Sequence, residues 1–396
     1  MAGALLLEVG IALVTLALVG ALAHRFRQSV IPGYIAAGIL VGPYVPTEIG
    51  GISLRLVGNS EFVSTVGELG IILLLFFLGL EFNVGTLVAN KTRLAKLGGL
   101  DLVLNGIMGV LIGYVFGFGV TGIILITGIV YISSSAIITK SLTDAGWLAN
   151  PESDVILSTL VVEDIVIAVY LAVVSALVLG GGTFAEATMT VVQAFVFLAA
   201  LAAVAYLGTD YIERIFDVGP DELFVLRIVG VAVLIGAIAL SIGVSEAVAA
   251  FFVGTAFSET DLIERIEHLV TPLRDIFAAV FFFSIGLSTD LRVVAGVALL
   301  LLVAVILTTG TKLISGYASG RVYGLSTLRS TRVGMGLVAR GEFSLIIATL
   351  ASTSAIPVIR NTVPAFAVGY VLVMSLLGTL LIEYEDTISS VLGISP

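Results

Sequence analysis

The sequence contains no cysteine, only two histidines, one tryptophan, and charged side chains at 12% of its 396 positions. Without cysteine there is no disulfide, no thiolate metal site and no thiol nucleophile. Two histidines, His24 and His268, without cysteine leave no obvious transition-metal site. A formal net charge of -10 and a pI near 4.7 exclude the basic footprint that nucleic acid requires. The scarcity of charge says most. With 59% hydrophobic residues and a mean hydropathy of +1.18, too little polar surface exists to cover a water-soluble globule. The chain reads as an all-α polytopic membrane protein whose first partner is lipid. No HExxH, intramembrane-protease GxGD, phosphate loop or dinucleotide fingerprint occurs, so an enzymatic reading has no support and no cofactor is called for.

What is present is a series of long apolar runs. Bounded by Gly, Pro or charge, they predict about thirteen spans, at residues 3–23, 30–45, 66–82, 97–117, 121–142, 153–179, 185–207, 222–242, 244–258, 271–288, 293–315, 331–353 and 362–383. The first run lacks a preceding basic stretch, and "HRFRQ" follows it in place of a small-residue cleavage site, so it is a retained helix. If the N-terminus lies outside, eleven basic residues from Arg25 to Arg332 fall at the ends of odd-numbered spans, against Arg55, Arg292 and Arg360 at even-numbered ends. That positive-inside asymmetry puts the C-terminus in the cytoplasm and suits a multi-pass protein of the plasma membrane. Arg227, Arg274, Lys312 and Arg340 lie within or at the edge of spans and need another reason. No linker or soluble regulatory domain is visible, and residues 1–396 read as a single transmembrane domain.

An internal repeat is visible. "AAGILVGPY" at 36–44 resembles "AAFFVGTAF" at 249–257, and "LLLFFLGLEF" at 73–82 resembles "AVFFFSIGLST" at 279–289. Seven spans separate the matching members, an odd number, so the second copy enters the membrane in the opposite sense. This predicts inverted repeats over roughly 1–180 and 222–384, a mark of secondary transporters with a site near the midplane.

The ionisable residues inside the runs point to that site. Glu163 and Asp164 stand side by side in "STLVVEDIVIAVYLAVVSALVLGGG", although a charge at the centre of a spanning helix costs roughly 2.5–3.5 kcal/mol on insertion scales. Neighbouring helical positions point about 100° apart, so one carboxylate can line a pathway while the other meets a partner. Lys312 is the natural partner for Glu163, with snorkelling toward the interface as the alternative. Ser133, Ser134 and Ser135 form a cluster that either bonds back to its own helix or offers oxygen ligands to a dehydrated monovalent cation. Arg340 and Glu342 straddle Gly341, where a helix could break; they either neutralise one another or serve transport.

These residues resemble the cation:proton antiporter-2 family, which includes Kef-type potassium/proton and NapA-like sodium/proton antiporters. The resemblance rests on "IPGYIAAGILVGP", "ELGIILLLFFLGLEF", "SSSAIITKSL", "VVEDIV", "VSEAVAAFFVGTAFS", "FFFSIGLSTDL" and "RGEFSLIIATL", in the family's order along nearly the whole chain. It implies an NhaA-like antiporter fold in which two discontinuous helices, spans five and twelve, cross in a core domain that moves against a dimerisation domain, in a homodimer. It also implies that Asp164 is the ion-binding aspartate, alternately holding a proton and Na⁺ or K⁺, with Lys312 as the lysine of the eleventh helix. Glu163 stands where Kef-type members have Gln and electrogenic sodium members Asp, which leaves the cation and the stoichiometry open. Kef-type members continue into a cytoplasmic regulatory domain; against that pattern this sequence is either naturally short, truncated, or regulated by a separate cytoplasmic subunit. Two other functions share parts of this pattern: a proton- or sodium-coupled symporter of an organic solute, which needs a cationic anchor at the midplane, and a cation channel, which needs several ion sites in a continuous pore.

Overall fold

The computed structural model describes residues 2–26, 28–44, 48–49, 52–53, 55–58, 61–81, 91–147, 149–179, 196, 209–217, 219–241, 245–258, 260–391 and 393. Its elements follow the apolar runs. They are α1 (Ala2–Arg25), α2 (Val30–Val41), a small antiparallel hairpin of β1 (Glu48–Ile49) and β2 (Ile52–Ser53), α3 (Glu61–Glu81), α4 (Lys91–Val115), α5 (Val120–Tyr131), α6 (Ser135–Asp144) and α7 (Pro151–Leu179). Then come α8 (Thr209–Phe216), α9 (Asp221–Ser241), α10 (Glu246–Phe257), α11 (Ile263–Leu287), α12 (Leu291–Gly296), α13 (Ala298–Val322), α14 (Thr327–Gly336), α15 (Glu342–Ser352), α16 (Pro357–Glu383) and α17 (Glu385–Val391). Among the described residues, eight helical segments are long and apolar enough to cross a membrane, and four shorter apolar helices accompany them. The span expected at 185–207 lies outside the described residues.

Burial is inverted relative to a soluble protein. Leu6 is 75% exposed on α1, while Asp101, Glu163, Lys312 and Arg340 are 0% exposed. The outer helical faces are apolar because lipid is the solvent, and ionisable groups turn inward. The charges left at span edges by the sequence find local partners. Arg274 pairs with Asp275 at 2.8 Å and lies 4.6 Å over the ring of Phe77; Arg227 donates to the Ile215 carbonyl at 3.4 Å.

The contacts divide the chain into two compact units. The first comprises residues 1–13, 57–89 and 168–284. Its central feature is the packing of α3 on α10, where Gly79 and Gly254 bring the backbones together: a Cβ on either would strike the other helix's main chain. Arg265, on α11, binds Asp217 and Asp221 and stacks 4.2 Å over Phe224, fixing the turn between α8 and α9.

The second unit comprises residues 14–56, 90–167 and 285–396. Here α4 packs on α5 and α13, α13 on α14, and α15 on α16 and α5. Gly316 and Gly320, one turn apart on α13, let the backbone of α14 approach at Gly334 and Ser330. The runs at 121–142 and 331–353 are each interrupted: residues 132–134 separate α5 from α6, and 337–341 separate α14 from α15. Midway along α14, Arg332 binds Glu152 of α7 at 3.1 Å and Glu385 of α17 at 2.9 Å and lies 4.9 Å over Trp147.

Candidate functional site

The two interruptions meet. Ser134 N donates to the Ala339 carbonyl at 3.0 Å, Ser344 Oγ to the Ile129 carbonyl at 2.8 Å, and Ser133 Oγ to the Leu337 carbonyl at 3.1 Å. An interrupted helix leaves unpaired carbonyls at one broken end and unpaired N–H groups at the other, with partial charges of opposite sign. The charges at 340 and 342 answer that problem separately. Arg340 Nε donates to the Val130 carbonyl at 3.1 Å, and its Nη1 donates to the carbonyls of Leu337 and Val338 at 2.9 and 2.8 Å. It therefore gathers carbonyls at the C-terminal ends of α5 and α14. Glu342 stands in the first turn of α15 and accepts from Ser134 Oγ at 2.6 Å, while that same Ser134 oxygen caps α6 by accepting from Ile137 N. The mutual neutralisation of Arg340 and Glu342 considered from sequence is replaced by this division: among the described residues no ion pair joins them.

Each serine of the cluster serves a different carboxylate. Ser133 binds Glu163 through its backbone N–H and through Oγ at 3.1 Å; Ser134 binds Glu342; and Ser135 Oγ reaches both oxygens of Asp164 at 3.2 and 3.4 Å. In a continuous helix three successive side chains could not reach three carboxylates on two other helices, Glu163 and Asp164 of α7 and Glu342 of α15, in this way. The non-helical backbone at 132–134 turns each one in its own direction, and bonding only to their own helix, the plainer reading, does not describe them.

Glu163 and Asp164 diverge as the helical geometry requires. Asp164 is half-buried. Glu163 is fully buried and accepts from Lys312 Nζ at 2.7 Å. Lys312 does not snorkel: its ammonium is enclosed, 5.4 Å from the Tyr131 ring centre. A second carboxylate binds the same ammonium, and the sequence reading did not single it out. Asp101 Oδ2 lies 2.8 Å from Lys312 Nζ, and its Oδ1 accepts from Asn105 Nδ2 and Ser315 Oγ at 2.8 Å each. The signal was available, since Asp101 sits inside the apolar run at 97–117, where an ionisable residue is costly. Chemically, the arrangement offers one carboxylate with a hydroxyl beside it, and a separate buried cluster of two carboxylates on one ammonium.

Comparison with known proteins bears on this arrangement. Residues 12–383 match the family model described as sodium/hydrogen exchanger, transmembrane. The chain is 38% identical to the K(+)/H(+) antiporter subunit KhtU of Bacillus subtilis (strain 168), over 98% of this chain and 95% of that protein. It is 30% identical to the ammonium/H(+) antiporter subunit AmhT of Alkalihalophilus pseudofirmus, over 97% and 94%, and 28% identical to the Na(+)/H(+)-K(+) antiporter GerN of Bacillus cereus, over 86% of each. The fold is similar to that of the sodium proton antiporter MjNhaP1 from Methanocaldococcus jannaschii, with a TM-score of 0.68, 15% identity and 98% of both chains covered.

Proposed function

The chain belongs to the family of transmembrane sodium/hydrogen exchangers, and from that premise we propose that it exchanges a monovalent cation for protons, with Asp164 holding each in turn. The observation that carries this reading is the half-buried carboxylate of Asp164, placed beside Ser135 where two interrupted helices meet. A carboxylate binds a proton or a cation but not both, so competition at one group gives obligatory exchange. Either ligand neutralises it, and a neutral group crosses an apolar barrier without the roughly 2.5–3.5 kcal/mol that a bare charge costs. Ser135 Oγ supplies a neutral ligand to the cation, which is cargo. Ser133 and Ser134 act through Glu163 and Glu342. Arg340 and Glu342 balance the broken helix ends.

The relative matched at 38% is named for K⁺, so K⁺ is the first cation of this proposal, ahead of NH₄⁺ and Na⁺. Two relatives are named as subunits, which supports a separate regulatory partner for this chain. Thirteen spans, an outside N-terminus, a cytoplasmic C-terminus, the plasma membrane and a homodimer complete the proposed arrangement. The inverted repeat has support from packing: Gly79 of α3 meets Gly254 of α10, and Gly286 of α11 meets Ile35 and Gly38 of α2. Each repeat's "LGL" or "IGL" helix thus packs on the other repeat's "VG" helix. An organic-acid symporter would need a cation facing its substrate; Arg340 and Lys312 are instead fully buried on carbonyls and carboxylates.

The test is flux in proteoliposomes. Addition of K⁺ to one side should drive proton movement in purified wild type, the apparent KM for K⁺ should rise as pH falls with the maximal rate unchanged, and Asp164→Asn should abolish exchange while the protein still folds. Wild-type turnover in Asp164→Asn would remove the assignment.

A further inference from the structure

Lys312 is held by two carboxylates whose surroundings differ in kind. Among the described residues, every donor to the Asp101 side chain comes from α4 or α13, two uninterrupted helices packed on one another. Asp101 and Asn105 are one turn apart on α4, and Thr311, Lys312 and Ser315 share a face of α13. Asn105 ties the lattice together, donating to Asp101 Oδ1 at 2.8 Å and accepting from Thr311 Oγ1 at 2.8 Å. Glu163 is different. Apart from Lys312, its donors among the described residues are the N–H and hydroxyl of Ser133, in the interruption between α5 and α6. That backbone lacks a helical ladder to resist displacement, and the Ser133 hydroxyl has the Leu337 carbonyl as an alternative acceptor. One carboxylate is therefore built into a rigid frame, and the other is shared with the part of the site that an exchange cycle must rearrange.

We propose that Asp101 is the permanent counter-ion and positioning residue of Lys312, keeping the ammonium charged and fixed while Glu163 changes partners. The proposal rests on the antiport reading above and refines it. Tyr131 has its ring 5.4 Å from the Lys312 ammonium, and Tyr370 bonds Thr308, one turn away on α13. Neither is a counter-ion in its neutral form. If Glu163 were the sole partner, opening the pair would leave a buried ammonium unbalanced, and its proton would leave with the cycle. With Asp101 in place the proton stays, only the Asp164 proton exchanges for a monovalent cation, and no net charge crosses.

Two measurements test this. In detergent, the melting temperatures of Asp101→Asn, Glu163→Gln, Lys312→Met and the double variant Asp101→Asn/Lys312→Met are compared. Asp101→Asn should lower the melting temperature more than Glu163→Gln, and adding Lys312→Met should recover most of that loss. An equal or larger loss from Glu163→Gln, or additive losses in the double variant, would overturn the proposal. In sealed vesicles, cation-driven proton flux in wild type and Asp101→Glu should be indifferent to an imposed membrane potential, whereas Asp101→Asn should change several-fold with it and show charge displacement. Flux in Asp101→Asn that is equally indifferent, or a wild type that already responds to the potential, would overturn it as well. A wild type with no cation-driven proton flux would remove the antiport reading alone, and the melting series would still decide the place of Asp101.

Discussion

Three adjacent serines of the same chemistry have three different partners, and their variants should differ accordingly. Ser135→Ala removes the hydroxyl from Asp164, so the apparent cation KM should rise several-fold with little change in maximal rate. Ser134→Ala removes the N-cap of α6 and the partner of Glu342 together. Loss of a serine cap costs about 1 kcal/mol, so its melting temperature should fall while its cation KM moves less than that of Ser135→Ala. Parallel flux and melting curves on the two variants check this. Equal KM changes would show that Ser135 has no special relation to the cation. The same logic explains why Lys312 and Arg340, both fully buried cations, are not interchangeable. Lys312 is a compact ammonium shared by two carboxylates, whereas the planar guanidinium of Arg340 spreads over carbonyls from two helix ends.

At the scale of elements, the two interrupted helices depend on close approach. Gly341 lies so near Ser134 that an added Cβ would collide with its Oγ and Cβ, and overpacking at such a contact costs typically about 1–3 kcal/mol. Gly310, inside α13, has nothing within 4 Å of an added Cβ. Replacing a helical glycine by alanine in open space gains roughly 0.5–1 kcal/mol. Gly341→Ala should therefore lower the melting temperature and reduce maximal exchange, whereas Gly310→Ala should hold or raise stability. Similar melting curves for both would show that the crossing tolerates movement. The interruptions also relocate chemistry that an unbroken span would hide: carbonyls at 130, 337 and 338 and the N–H groups at the start of α6 and α15 are polar groups at membrane depth, and Arg340, Glu342 and Ser134 satisfy them.

For the whole molecule, the absence of cysteine is an experimental convenience. A single introduced thiol is the only one present, so sidedness can be read directly by labelling intact cells. Ser390→Cys, on the exposed end of α17, should react only after the membrane is opened, and Thr353→Cys, exposed just after α15, should react from outside. Both positions reacting from the same side would overturn the orientation drawn from the arginines and lysines. The exposed leucines of α1 and the buried charges of the second unit express one condition at opposite ends. In lipid, apolar side chains cost nothing at the surface and ionisable ones must find partners inside.

The sequence by itself determined that the chain lives in a membrane, most of its helical segments, and that Glu163, Asp164 and Lys312 required an explanation. These follow from local quantities: a window of apolar residues is long enough or not, and an ionisable group within it is costly wherever the fold places it. The meeting of the interruptions, the partition of the serines among Asp164, Glu163 and Glu342, and the turning of Arg340 away from Glu342 were decided by tertiary structure. So was Asp101, which reaches Lys312 from 211 residues away. The physical reason is that the cost of burying a charge is set by its own segment, while the group that offsets the cost belongs to whichever helix packs alongside. That choice depends on close backbone contacts, such as Gly316 against Gly334 and Gly341 against Ser134, whose partners lie in distant parts of the chain or beyond a helix break.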